Sequence, residues 1–147
     1  MRWTSIWDEL GAGIFPERCR TGDAGDPTIR TAEKKERYSG FVVHARTRVK
    51  FIRDLGHKSL FEERLLQPIE GNGSDAVRKA LEEFPHITDG YIISGNSEMD
   101  TQRLPVYEAL FRGISGWSDT CTLVLFGRAK LVHHEFEGIK NQWLSRT

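Results

Sequence analysis

The chain has 147 residues, 38% of them hydrophobic and 29% charged, with 21 Lys+Arg balancing 21 Asp+Glu. That length fits one domain, and the composition excludes collagen-like, mucin-like and wholly disordered chains. Zero net charge excludes a histone-like polycation, and no stretch nears the ~18 apolar residues of a membrane span.

Trp3, Ile6, Trp7, Leu10 and Ile14 recur at helical spacing and predict a short amphipathic helix over 4–12. Ser5 suits its N-cap, and Gly11 and Gly13 end it. The opening MRWTSIWDEL lacks the apolar core of a signal peptide, so a cytoplasmic protein with Cys19 and Cys121 as free thiols is expected. Residues 16–37 carry few large apolar side chains and predict a long flexible loop. From Ser39 to Ile52, Val43, Ala45, Thr47, Val49 and Phe51 alternate with His44, Arg46, Arg48 and Lys50. Period two predicts a half-buried strand, and a run reaching ~45 Å calls for a bend within it.

Ser59 and Glu62 form a capping box for a helix over 59–67 that Pro68 closes. Ser74 caps another, SDAVRKALEEF, with Val77, Leu81 and Phe84 on one face. TDGYIISGN predicts a short buried strand over 91–94, leaving into a Gly-Asn turn. A helix follows over 103–112, with Pro105 in its first turn and Gly113 at its end. Trp117 lies in a loop, as an aromatic anchor or a lid on the core. TCTLVLF reads as a buried strand. Val132, Phe136, Ile139 and Trp143 then follow at spacings of 4, 3 and 4 and predict a last helix.

The expected architecture is a single α/β domain over 1–147, with a three- to four-stranded mixed sheet flanked by helices. Residues 41–49, 90–94 and 121–126 should be neighbouring strands. Val43, Leu65, Leu81, Ile92, Leu110, Val124 and Phe136 should form the core.

Four constellations carry chemistry. On a strand, His44, Arg46, Arg48 and Lys50 project from one face ~6–7 Å apart, close to the phosphate spacing of a nucleic-acid strand. They read either as a phosphate track or as a solvated face balanced by Glu33, Glu36 or Glu62. The turn Gly22-Asp23-Ala24-Gly25-Asp26-Pro27 could hold a hard divalent cation or simply turn the chain. His133-His134-Glu135 resembles a ligand set. On the predicted helix, however, adjacent imidazoles point ~100° apart, which favours a plain polar face. Ser94-Gly95-Asn96-Ser97, at a strand's carboxyl end, hints at a polar pocket or at ordinary turn chemistry.

From about Gly22 to Trp143 the layout resembles the restriction-endonuclease-like (PD-(D/E)XK) superfamily, particularly its Mrr-type branch. The acidic turn would be GDAGD, the triplet strand FVVHAR, the later strand DGYIISGN, and the ending LVLFGRAKL. The resemblance implies Asp26, His44 and Arg46 as catalytic positions and Asp26 and His44 as ligands of Mg²⁺ or Mn²⁺. It also implies Arg46, Arg48 and Lys50 as nucleic-acid contacts, and Asp8 or Glu9 as the acid on the first helix. The family's metal-holding Glu or Gln falls on His44 and its lysine on Arg46, which stays protonated and serves poorly as a base. The resemblance therefore implies a nucleic-acid-contacting scaffold, a divergent or inactive nuclease. The alternative is a small protein-interaction module such as an immunity or inhibitor protein, with the aromatic residues as anchors.

Overall fold

The computed structural model describes residues 47–57, 65–71, 73–96, 98–114 and 121–146. The expected helix over 4–12, the loop at 16–37, strand residues 41–46, helix residues 59–64 and the Trp117 loop lie outside these residues, as do Cys19 and Val43.

Among the described residues there are three helices: α1 (Arg48–His57), α2 (Gly73–Glu82) and α3 (Val106–Gly113). The strands are β1 (Leu66–Pro68), β2 (Asp89–Ser94), β3 (Gln102–Pro105), β4 (Thr122–Phe126), β5 (Leu131–Phe136) and β6 (Ile139–Ser145). They form one six-stranded sheet in the order β1-β6-β5-β4-β2-β3, with every neighbouring pair antiparallel. The α/β character matches expectation. The expected mixed sheet of three or four strands is corrected to a larger antiparallel one, because tight turns join β4 to β5 and β5 to β6 where a helix was expected.

The register sorts the sheet into two faces. On one, Ile92, Val124, Phe126 and Leu131 pack under α2 and α3 through Val77, Leu81, Ala109 and Leu110. On the other, Tyr91, Ile93, Leu123, Leu125, Val132 and Phe136 pack under α1 through Phe51, Ile52 and Leu55. Gly90 lets α3 approach, since a Cβ there would stand 2.6 Å from the Ala109 Cβ. Of the expected core, Leu81, Ile92, Leu110, Val124 and Phe136 are buried and Leu65 is half-buried. Ile92 is fully buried in the larger helical layer, so Ile92→Ala, or Leu110→Ala beside it, is expected to cost ~2–5 kcal/mol in urea unfolding. Losses under ~1 kcal/mol at both positions would contradict this packing.

The strands over 90–94 and 121–126 are neighbours as expected, pairing Gly90 to Phe126 through Ser94 to Thr122. The strand expected to run on to Ile52 is corrected from residue 48 onward, where α1 begins. Phe51 belongs to both the alternating pattern and the helical set Arg48, Phe51, Ile52, Leu55. Packing against the sheet selects the helical set. Leu66 and Gln67, expected in a helix, instead form β1 with Pro68, paired to β6. Residues 103–105, also expected in a helix, belong to β3. Both prolines sit on edge strands, where a missing N–H is tolerated, and α3 starts only after Pro105.

The expected last helix is a β-hairpin. A spacing of four is even, so Val132 and Phe136 share a strand face, as do Ile139 and Trp143. The step of three from Phe136 to Ile139 spans the turn Glu137–Gly138. The φ values there, 49° and 80°, suit the primed turns that close two-residue hairpins. The four-residue β4–β5 turn also relies on left-handed backbone, since Gly127, Arg128 and Ala129 all have positive φ, at 59°, 55° and 63°. Arg128 is exposed, and its side chain has no partner among the described residues. Arg128→Gly is therefore expected to raise stability by ~0.5–1 kcal/mol, read as a higher urea midpoint with unchanged slope. A lower midpoint would show that the turn carries no such strain. No described helix is long and apolar enough to cross a membrane.

Candidate functional site

The polar residues in the middle of β5 lie on a strand, so side chains two apart share a face. This corrects the helical reading of His133-His134-Glu135: His133 and Glu135 face α2 and α3, and His134 faces α1. His133 Nε2–H donates to Glu135 Oε1 over 2.6 Å, with the two side chains 0% and 2% exposed. Glu135 is in register with Thr122, and Thr122 with Ser94. The two hydroxyls lie 3.3 Å apart, and both side chains are buried. His133 Nδ1 is buried with no hydrogen-bond partner among the described residues. The result is a buried polar row across three strands. No group of three or more His, Cys, Asp or Glu among the described residues could hold a metal ion.

Ser94-Gly95-Asn96 proves to be turn chemistry. Asn96 N–H donates to Ser94 Oγ over 3.0 Å, and Asn96 Oδ1 accepts from the Glu98 N–H over 3.0 Å.

The opposite face holds a cleft of about 440 Å³ where α1, β1 and the β5–β6 hairpin meet. Leu55 and Gly56 come from α1, Leu66 and Pro68 from β1, and His134, Phe136, Ile139, Asn141 and Trp143 from the hairpin, with Arg146 just beyond it. Alternation along the two hairpin arms places these hairpin side chains on one face. The His134 ring lies 5.0 Å from that of Phe136 and 6.3 Å from that of Trp143, centroid to centroid. His134 Nε2–H donates to the Ile52 carbonyl over 2.7 Å. Burial pushes the imidazole down to about 4 despite that bond, so it is neutral at pH 7. The Arg146 and Asn141 side chains have no partner among the described residues. Arg146 is held in place by its backbone, whose N–H donates to the Leu65 carbonyl over 2.8 Å.

Asp26, His44 and Arg46 lie outside the described residues. Arg48 and Lys50 stand on α1 rather than on a strand, so their side chains diverge instead of lining up. Arg48 is 4% exposed, and its Nη1 donates to Asp100 Oδ1 over 2.6 Å. The same oxygen accepts the Ser94 N–H over 3.0 Å, so Arg48 ties α1 to the β2–β3 connection. Lys50 is exposed and lies 3.7 Å from Asp54, one helical turn on. Cys121 is a free thiol, pushed up by burial and so poorly reactive.

The cleft did not emerge from the sequence because His134, weighed only as part of a possible ligand set, and Asn141 fell in a segment expected to be helical, and Arg146 lay just beyond it. The signal that could have found them is Glu137-Gly138 between two six- to seven-residue runs, a hairpin pattern weaker than Asn-Gly or Asp-Gly.

Comparison with family models, with curated proteins and with solved structures gives no match.

Proposed function

We propose that the chain is a small-ligand-binding domain whose site is the cleft between α1, β1 and the β5–β6 hairpin. One observation carries this reading: a cavity of about 440 Å³ is lined by three ring side chains and two polar side chains left without partners among the described residues. Binding clefts for small molecules have this size and this mixture of apolar walls with a few polar groups. The reading is one of binding, because the titratable group inside, His134, is neutral and committed to the Ile52 carbonyl.

Titration of the full chain with indole, followed by calorimetry, tests it. Saturable binding is expected, and Asn141→Trp, which fills the cleft, should abolish it without changing the far-ultraviolet dichroism. Non-saturable binding, or an Asn141→Trp variant that binds equally well, would reject the cleft as the site.

A second reading, a protein-interaction module, is favoured by Phe111 and Tyr107, which stand 85% and 57% exposed one turn apart on α3. A partner lost in Phe111→Ser but retained in Asn141→Trp would support it. Contact with nucleic acid on an endonuclease-like scaffold is a third proposal. It predicts heparin retention that falls steeply with salt and weakens in Lys50→Ala.

A further inference from the structure

We propose that the cleft takes a planar aromatic molecule bearing one carboxylate, with Arg146 as the partner of the anion. This inference rests on the cleft being a ligand site.

The floor of the cleft sets the shape. The hairpin is pleated, and its side chains on this face stand side by side, so the rings of His134, Phe136 and Trp143 line one wall together. Their planes are tilted by 42° and 37° to one another, so ring faces and edges are both presented to a guest. A flat π-system meets such a wall by offset stacking or edge-to-face contact, worth more than area burial alone. Pro68, in register with Trp143, adds a rigid flank.

Charge sets the sign. None of the described residues lining the cleft is acidic, and His134 is neutral at pH 7. Among the described residues Arg146 is the one permanent charge of the lining, and its guanidinium has no partner among them. Ion pairs engage the other arginines whose side chains line the faces of α1 and α3: Arg48 with Asp100, Arg53 with Glu137, Arg112 with Glu108. A guanidinium presents a planar fork that matches a carboxylate with two parallel N–H···O bonds. A single fork neutralises one negative charge, so a monocarboxylate fits better than a dianionic phosphate. Asn141, in register with His134, offers an amide that can donate to or accept from a polar edge of the ring system.

Three probes of graded chemistry test this on the full chain at low ionic strength, where an exposed cation is least screened. They are naphthoate, the equally shaped neutral naphthylmethanol, and cyclohexanecarboxylate, which keeps the charge without the π-face. Naphthoate is expected to bind about tenfold more tightly than naphthylmethanol, equivalent to one good charge-assisted contact. Arg146→Gln should remove that tenfold advantage and leave the alcohol unchanged. Cyclohexanecarboxylate should bind more weakly than naphthoate. Equal binding of acid and alcohol by the wild-type chain would overturn the anion assignment while leaving the cleft as the site. So would an Arg146→Gln variant that weakens both equally or neither. Failure of every probe to bind would overturn both this inference and the reading it rests on. Arg146 lies beyond the last strand with an exposed side chain, so the substitution leaves the packed sheet intact.

Discussion

Glu135→Leu is expected to lower the unfolding free energy by about 1–3 kcal/mol, because it leaves His133 buried in mid-sheet without the carboxylate that accepts its proton. Removing one member of a buried pair costs far more than the pair contributes, since the survivor keeps its desolvation penalty. His133 is already short of one partner, its Nδ1 having none among the described residues, so the loss of Glu135 strips the ring of its one hydrogen bond among them. The double variant His133→Leu, Glu135→Leu separates this effect from simple packing. Apolar side chains of similar volume under α2 and α3 should restore most of the loss, since replacing both partners of a buried hydrogen bond leaves no polar group unsatisfied. Urea unfolding of the wild type, both single variants and the double variant supplies the cycle. A single-variant loss under ~1 kcal/mol would mean that water or a neighbouring group satisfies His133.

The second large effect depends on pH and comes from the other face of β5. Folding holds the His134 imidazole down at about 4, against an ordinary value of 6.5, chiefly by burial between α1 and the hairpin. Below 6.5 the unfolded chain takes up a proton here that the folded chain refuses. Stability from this residue is therefore complete above pH 6.5 and is lost progressively as pH falls to about 4. At ~1.4 kcal/mol per unit, the full loss is on the order of 3 kcal/mol. His134→Gln can still donate to the Ile52 carbonyl but cannot titrate. The difference between its stability profile and that of the wild type should rise across this window and be flat above it. Parallel profiles from pH 4 to 7 would refute the assignment. A protonated His134 would also carry a charge into the cleft, so ligand binding and acid stability are expected to meet at this one ring.

Much of the fold was legible where one pattern dominated. The α2 segment combined Asp75 in the first turn with Val77 and Leu81 at helical spacing, and it folds as a helix, although it begins at Gly73, so Ser74 lies inside it rather than at the expected cap. The β2 and β4 segments are unbroken apolar runs too short for helices, and they form the centre of the sheet. Reading failed where two periods coincide. Val132, Phe136, Ile139 and Trp143 satisfy both a helix and a hairpin, and only the φ > 0 turn at Glu137–Gly138 separates them. Arg48 to Ile52 satisfied both a strand and a helix, and the decision lay in contacts with β2, β4 and β5, distant in sequence. The site was lost with the hairpin. His133 and His134 face opposite layers only because the segment is extended. Neither the buried pair nor the ring-lined cleft is visible at a helical period.

The prolines at the two ends of the strand order constrain how this sheet can grow. β1 has three residues and ends at Pro68, and β3 has four and ends at Pro105. An incoming strand needs an uninterrupted row of N–H and C=O groups to template on. Each rim offers only a few such groups before a residue that cannot donate. Strand addition, whether by a peptide ligand or by stacking of like molecules into fibrils, therefore finds little foothold on either rim.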